Sequence, residues 1–217
     1  MKTFGLLVLI ILPFATVGQT SKIGDWIGFT GNKKFENRWN WHHEIQYRNY
    51  NLLGDLEQIL VRTGLGYNLA DNHNLLLGYA FTLSENYHQD QTKAQVFEQR
   101  IFQQYSNNLS IGKIFLSNRY RIEERWFEEK FNLRLRYHIS ANLPLNNSKL
   151  EAKTFYLGLW NEIFVNAKMG NHFDRNRTYI GLGYMISNGL KIDFGYMNQF
   201  FSLSNRDQIS LGINWNY

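Results

Sequence analysis

The chain has 217 residues, a net charge of +5, 16% aromatic residues, two prolines and no cysteine. Its length suits one large domain, and the lack of cysteine excludes both a disulfide-stapled fold and a lipid anchor on an N-terminal cysteine. The basic charge is mostly arginine dispersed through alternating segments, not a basic run, which argues against a nucleic-acid partner.

Met1-Lys2-Thr3 is a short positive start, followed by an apolar run from Phe4 to Phe14 and small residues at Ala15–Gly18. This is the layout of a secretory signal peptide. The run is shorter than the roughly 20 residues that span a bilayer as a helix. The expected division is residues 1–18 as signal peptide and 19–217 as one domain. No later stretch reaches about 18 apolar residues, so helices are not expected to span a membrane.

Beyond the leader, the side chains alternate with the period of a β-strand, whose successive residues point to opposite faces. Trp26–Thr30 is a short first segment. Arg38–Arg48 sets Trp39, Trp41, His43, Ile45 and Tyr47 against Arg38, His42, Glu44 and Arg48. Gln58–Leu69 and Leu75–Leu83 follow, joined by a turn at Asp71–Asn74; Arg62, Gly64, Gly66 and Gly78 share their inner face. Ser84–Lys93 reads as a loop. Val96–Tyr105 carries Glu98, Arg100 and Gln104 on its polar face. Lys113–Arg125 sets Arg119, Arg121, Glu123 and Arg125 against Tyr120 and Ile122. Phe131–Leu143 alternates without exception, with Arg134, Arg136 and His138 on the polar side. At about 13 residues it is more than twice the usual soluble strand. Phe155–Val165 turns Trp160 and Glu162 inward, and Arg175–Met185 turns Arg175, Arg177, Gly181 and Gly183 inward. Ser187-Asn188-Gly189 is a tight turn in which Asn-Gly is expected to supply positive φ. Leu190–Phe200 carries Lys191 and Asp193 on its polar face. Asp207–Tyr217 ends on Trp215 and Tyr217.

Long strands with one greasy and one charged face need a second layer in water, and the sequence offers none. A transmembrane barrel resolves this, with apolar side chains on lipid and polar ones inside. The expected fold is therefore all-β: an antiparallel up-and-down outer-membrane barrel of ten strands, with twelve as the alternative. Trp26–Thr30 is then either outside the cylinder or short of an unseen partner. Single-chain bacterial barrels have even strand numbers, both ends in the periplasm and short turns there. The short turns Asn107–Ser110 and Ser187–Gly189 are accordingly assigned to that side, and Trp126–Lys130 and Phe201–Arg206 to the exterior. Trp215 and Tyr217 resemble the C-terminal aromatic signal read by the barrel assembly machinery. Trp39, Trp41, Tyr47 and Tyr137 read as girdle residues.

Five motifs recur in order: Glu98-x-Arg100, Asn118-Arg119-x-Arg121, Arg134-x-Arg136-Tyr137, Glu162-x-Phe164 and Arg175-x-Arg177. The chain resembles, from about Trp26 to Tyr217, the outer-membrane barrel family catalogued as domain of unknown function 2490, common in Bacteroidetes-type bacteria. The resemblance implies a fold and a Gram-negative outer-membrane location, with lipid around the barrel. It implies no chemistry.

The residues expected to line the lumen are Arg38, Arg48, Arg62, Arg100, Arg119, Arg121, Arg125, Arg134, Arg136, Arg175 and Arg177, with Glu44, Glu98, Glu123, Glu162 and Asp193. Buried charge must pair or stay wet, so the leading expectation is a structural ion-pair network filling a narrow barrel. The alternative is an anion-preferring pore using the surplus arginine. A lipid-modifying enzyme is the remaining alternative. It would draw on outward polar residues, namely His43, Gln103 and Asn118, but there is no Gly-x-Ser-x-Gly and no serine set beside a histidine. The other histidines (His42, His73, His88, His138 and His172) show no metal-ligand spacing, and neither Gly-x-Gly pair opens a helix as a dinucleotide site requires. No cofactor or metal is expected.

Overall fold

The structure, a computed structural model, describes residues 23–87, 92–128, 130–167 and 172–217. The leader and His88 lie outside them. Eleven strands follow in order: β1 (Gly24–Lys34), β2 (Trp39–Asn49), β3 (Leu56–Ala70), β4 (His73–Tyr87), β5 (Lys93–Ile111), β6 (Ile114–Phe127), β7 (Lys130–Pro144), β8 (Phe155–Asn166), β9 (Phe173–Met185), β10 (Leu190–Phe200) and β11 (Asn205–Asn216). They form one closed barrel, antiparallel throughout except where β1 meets β11.

That seam corrects the strand count. Trp26–Thr30 is the middle of a full strand, pairing antiparallel with β2 and parallel with β11 from Gly24↔Gln208 to Asn32↔Asn216. Glycines at positions 24, 28 and 31 dilute its alternation, so the sequence shows only its centre. A parallel closing pair lets an odd number of strands close. It also places the start of β1 at the end of the barrel opposite Tyr217, so the two ends of the sheet do not share a side.

Two turn expectations and one lumen residue also change. Asn107–Ser110 lies inside β5, and the chain reverses at Gly112–Lys113, where Gly112 takes φ 57°. Neither Asn188 nor Gly189 has positive φ. That turn is held instead by Ser187 Oγ, which accepts from the Leu190 amide at 3.2 Å. Arg38 sits in the β1–β2 turn with Asn37, at φ 69° and 65°. Its guanidinium donates to the Leu69 carbonyl at 3.4 Å on the exposed rim, so it does not line the lumen.

The outer wall is apolar. Val61, Leu65, Leu77, Leu135, Ile180 and Phe194 are each more than 40% exposed, as are Trp39, Trp41, Tyr47, Trp215 and Tyr217. The buried groups are inside, and charged or polar residues outnumber hydrophobic ones there. The molecule is thus inverted relative to a water-soluble domain, where charge is outside and grease within.

Candidate functional site: the charged lumen

Alternation from flanking strands brings the polar faces together as read from the sequence. Glu123 on β6 receives Arg134 Nη2 at 2.5 Å and Arg136 Nη1 at 2.5 Å. Arg136 also reaches Glu162 on β8 at 2.6 Å, and Glu162 accepts from Arg119 at 2.8 Å. Arg134 donates onward to Asp174 at 2.9 Å, which also holds Arg175 at 3.2 Å. One continuous ion-paired chain therefore runs along the inner wall from β6 to β9. Glu98 forms a second cluster with Arg100 at 2.6 Å and Arg125, and Glu44 pairs with Arg62. Arg121 donates to Gln104 at 2.9 Å and lies 3.6 Å from Glu123. Such two-pronged contacts suit the planar guanidinium fork.

Asp174 escapes the sequence pattern because a bulge places it. Phe164 pairs with Arg175 and Val165 with Phe173, leaving Asp174 as the extra residue on β9. An extra residue breaks the alternation and re-aims a side chain, here toward Arg134 and Arg175. Asp193 lies apart from the arginines, accepting from Tyr156 Oη and from Asn214 at 2.9 Å, with Lys191 at 3.9 Å.

Inward aromatics carry much of the remaining charge. Arg136, Arg177 and Arg134 lie 4.4, 4.7 and 5.2 Å from the Phe164 ring centre. Arg121 and Arg62 lie 4.5 and 5.5 Å from Phe102. Arg48 lies 3.6 Å and Arg177 4.8 Å from Trp26. These are cation–π distances, favourable where water is excluded. Sequence parity holds the signal for the phenylalanines: Phe102 shares the face of Glu98 and Arg100, and Phe164 that of Glu162.

Inward glycines make room for inward rings. A Cβ on Gly78 would meet Phe102 at 2.2 Å, on Gly181 Tyr179 at 2.1 Å, and on Gly183 Tyr156 at 2.1 Å. Each ring occupies the space that a side chain at the glycine would fill. The space left in the lumen is about 530 Å³, lined by Trp26, Arg48, Arg62, Arg100, Arg175 and Arg177 among others.

The outward polar residues are not brought together. His43 packs on Trp41, with ring centres 4.5 Å apart, and near Phe29 and Tyr217 at 5.8 and 6.2 Å. Its Nδ1 has no hydrogen-bond partner among the described residues. Asn118 accepts from Tyr137 Oη at 2.9 Å, and Gln103 donates to Glu124 at 3.4 Å. His43 stands in an aromatic belt that includes Trp215 and Tyr217, themselves stacked at 4.2 Å.

Residues 23–210 match the family described as protein of unknown function (DUF2490). The chain is 31% identical over 168 residues to an uncharacterized protein of Methylorubrum extorquens, covering 72% of this chain and 69% of that one.

Proposed function

We infer, for a chain that belongs to the DUF2490 family of proteins of unknown function, a role as an outer-membrane β-barrel whose lumen is closed by its own ion-paired side chains. The observation carrying this is the inversion of the cylinder: exposed grease outside, buried charge inside. Lipid is the solvent that makes such a wall stable. Cleavage of residues 1–18 and recognition of the strand ending in Trp215 and Tyr217 by the assembly machinery belong to the same reading.

Closure is supported by how little a water-sized sphere reaches at the network. Glu123 is 1% exposed and Arg134 is 3% exposed, whereas the lining of a water-filled channel would be wet. The role is then architectural, presenting loops at the cell surface without opening the membrane. Planar-bilayer recordings of the refolded full chain test it. The expected result is insertion without stable conductance steps. Steady steps with anion preference would establish a pore instead. Recovery of the mature protein in the soluble periplasm would overturn the membrane assignment itself.

A further inference from the structure

The lumen is not balanced throughout. Ten arginines line it (Arg38 excluded), and the carboxylates pairing with them within 4.0 Å are Glu44, Glu98, Glu123, Glu162 and Asp174. Part of the surplus lies beside the seam. Arg48 is 5% exposed, yet among the described residues its guanidinium donates only to amide oxygens, Gln58 Oε1 at 2.7 Å and Gln46 Oε1. Its Nε has no partner among them. Arg177 is 4% exposed and donates to Gln199 Oε1 at 2.8 Å, while its nearest carboxylate oxygen, on Glu162, is 4.0 Å away. A neutral amide accepts a hydrogen bond but cannot cancel a charge; the carboxylate that acts on Arg48 from farther off, Glu57, is already held by Arg206 at 2.7 Å, and a buried cation short of a partner is costly.

These two arginines start on well-separated strands, β2 and β9, and converge. Both lie against the Trp26 indole, so their guanidinium carbons are no farther apart than the 3.6 and 4.8 Å ring distances laid end to end. Both border the cavity. Arg62, also on that cavity, likewise has an Nε without a partner among the described residues.

We propose that Arg48 and Arg177, with Trp26 between their strands, form a binding site for a dianionic oxyanion of the phosphate class. Such a group presents several acceptor oxygens to two forks at once and neutralises both, which a halide does not. The proposal rests on the barrel reading only in needing the lumen folded as described, not on where the protein resides.

Isothermal titration of the detergent-refolded full chain with inorganic phosphate is the test, with glycerol phosphate, sulfate and chloride as further arms. One saturable phosphate per chain is expected, with chloride failing to compete at equal ionic strength. Arg48→Gln should weaken binding about tenfold or more, the factor carried by a lost charged hydrogen bond. Arg48→Lys keeps the charge and the fold while losing the fork, and should bind between the two. Equal binding of glycerol phosphate would identify an esterified phosphoryl group as an acceptable occupant; binding of the free ion alone would exclude one. Either outcome upholds the site. No saturable binding, competition by chloride, or unchanged affinity in both Arg48 variants would overturn it. A channel found in planar bilayers would leave this site standing, and loss of this site would leave the closed barrel standing.

Discussion

Two sectors of one lumen use arginine differently. Along β5 to β9, guanidiniums meet Glu98, Glu123, Glu162 and Asp174 in shared, multidentate contacts. Beside the seam of β1 and β11, Arg48 and Arg177 meet glutamines and an indole. In the first sector each carboxylate is shared between arginines, and Arg121 is held mainly by Gln104. The second meets its arginines with neutral acceptors at hydrogen-bond distance and leaves Arg48 Nε without a partner among the described residues. Inward arginine is therefore not one role repeated: pairing with carboxylate builds the wall, and pairing with amide leaves electrostatic room for something else.

The comparison breaks first at Glu123. Glu123→Gln would leave Arg134 and Arg136 short of their shared carboxylate in a dry site. The expected cost is about 3–5 kcal/mol, the range for breaking a buried pair, read as a lower denaturation midpoint of the refolded barrel in detergent. An effect below that of Arg48→Gln would erase the distinction between the sectors.

The outer wall supplies the next test. Leu135 is 43% exposed and sits between Arg134 and Arg136 in sequence. Leu135→Arg should cost about 2–4 kcal/mol in a lipid vesicle if it sits near mid-bilayer. In water the same change at an exposed position would lie within about 0.5 kcal/mol. Vesicle refolding titrations separate the two.

Gly78→Ala probes the fit between ring and wall. The new methyl would displace Phe102 from beneath Arg62 and Arg121, at an overpacking cost of about 1–3 kcal/mol, measured in the same titration. A silent substitution would mean that the ring has room to move.

The smallest effect is expected at His43. Its ring covers Gly31, where a Cβ would lie 2.0 Å from Nε2, and it packs among aromatics. His43→Ala should leave phospholipid and lipid A profiles of expressing cells unchanged by mass spectrometry. Altered lipids would revive an enzymatic role.

The sequence made the lumen legible because alternation over long strands leaves little freedom. Of the lumen arginines expected from parity, only Arg38 is misplaced, since left-handed backbone at a turn interrupts the period. Asp174 was illegible for the related reason that a bulge shifts the register by one. The seam was illegible because glycines hide β1, and because parallel pairing is a relation between distant strands with no local signature. The split into two sectors lay beyond sequence as well: parity says which side chains face inward, not which inward side chains meet.

A nitroxide scan of β7 tests the central claim most directly. Single cysteines placed from Leu133 to Ile139 in the otherwise cysteine-free chain, spin-labelled and reconstituted in vesicles, would report oxygen accessibility at each step. A period of two is expected, with labels at Leu133, Leu135, Tyr137 and Ile139 in hydrocarbon and those at Arg134, Arg136 and His138 shielded from it. Uniform accessibility to a water-soluble relaxant, or the opposite phase, would contradict it.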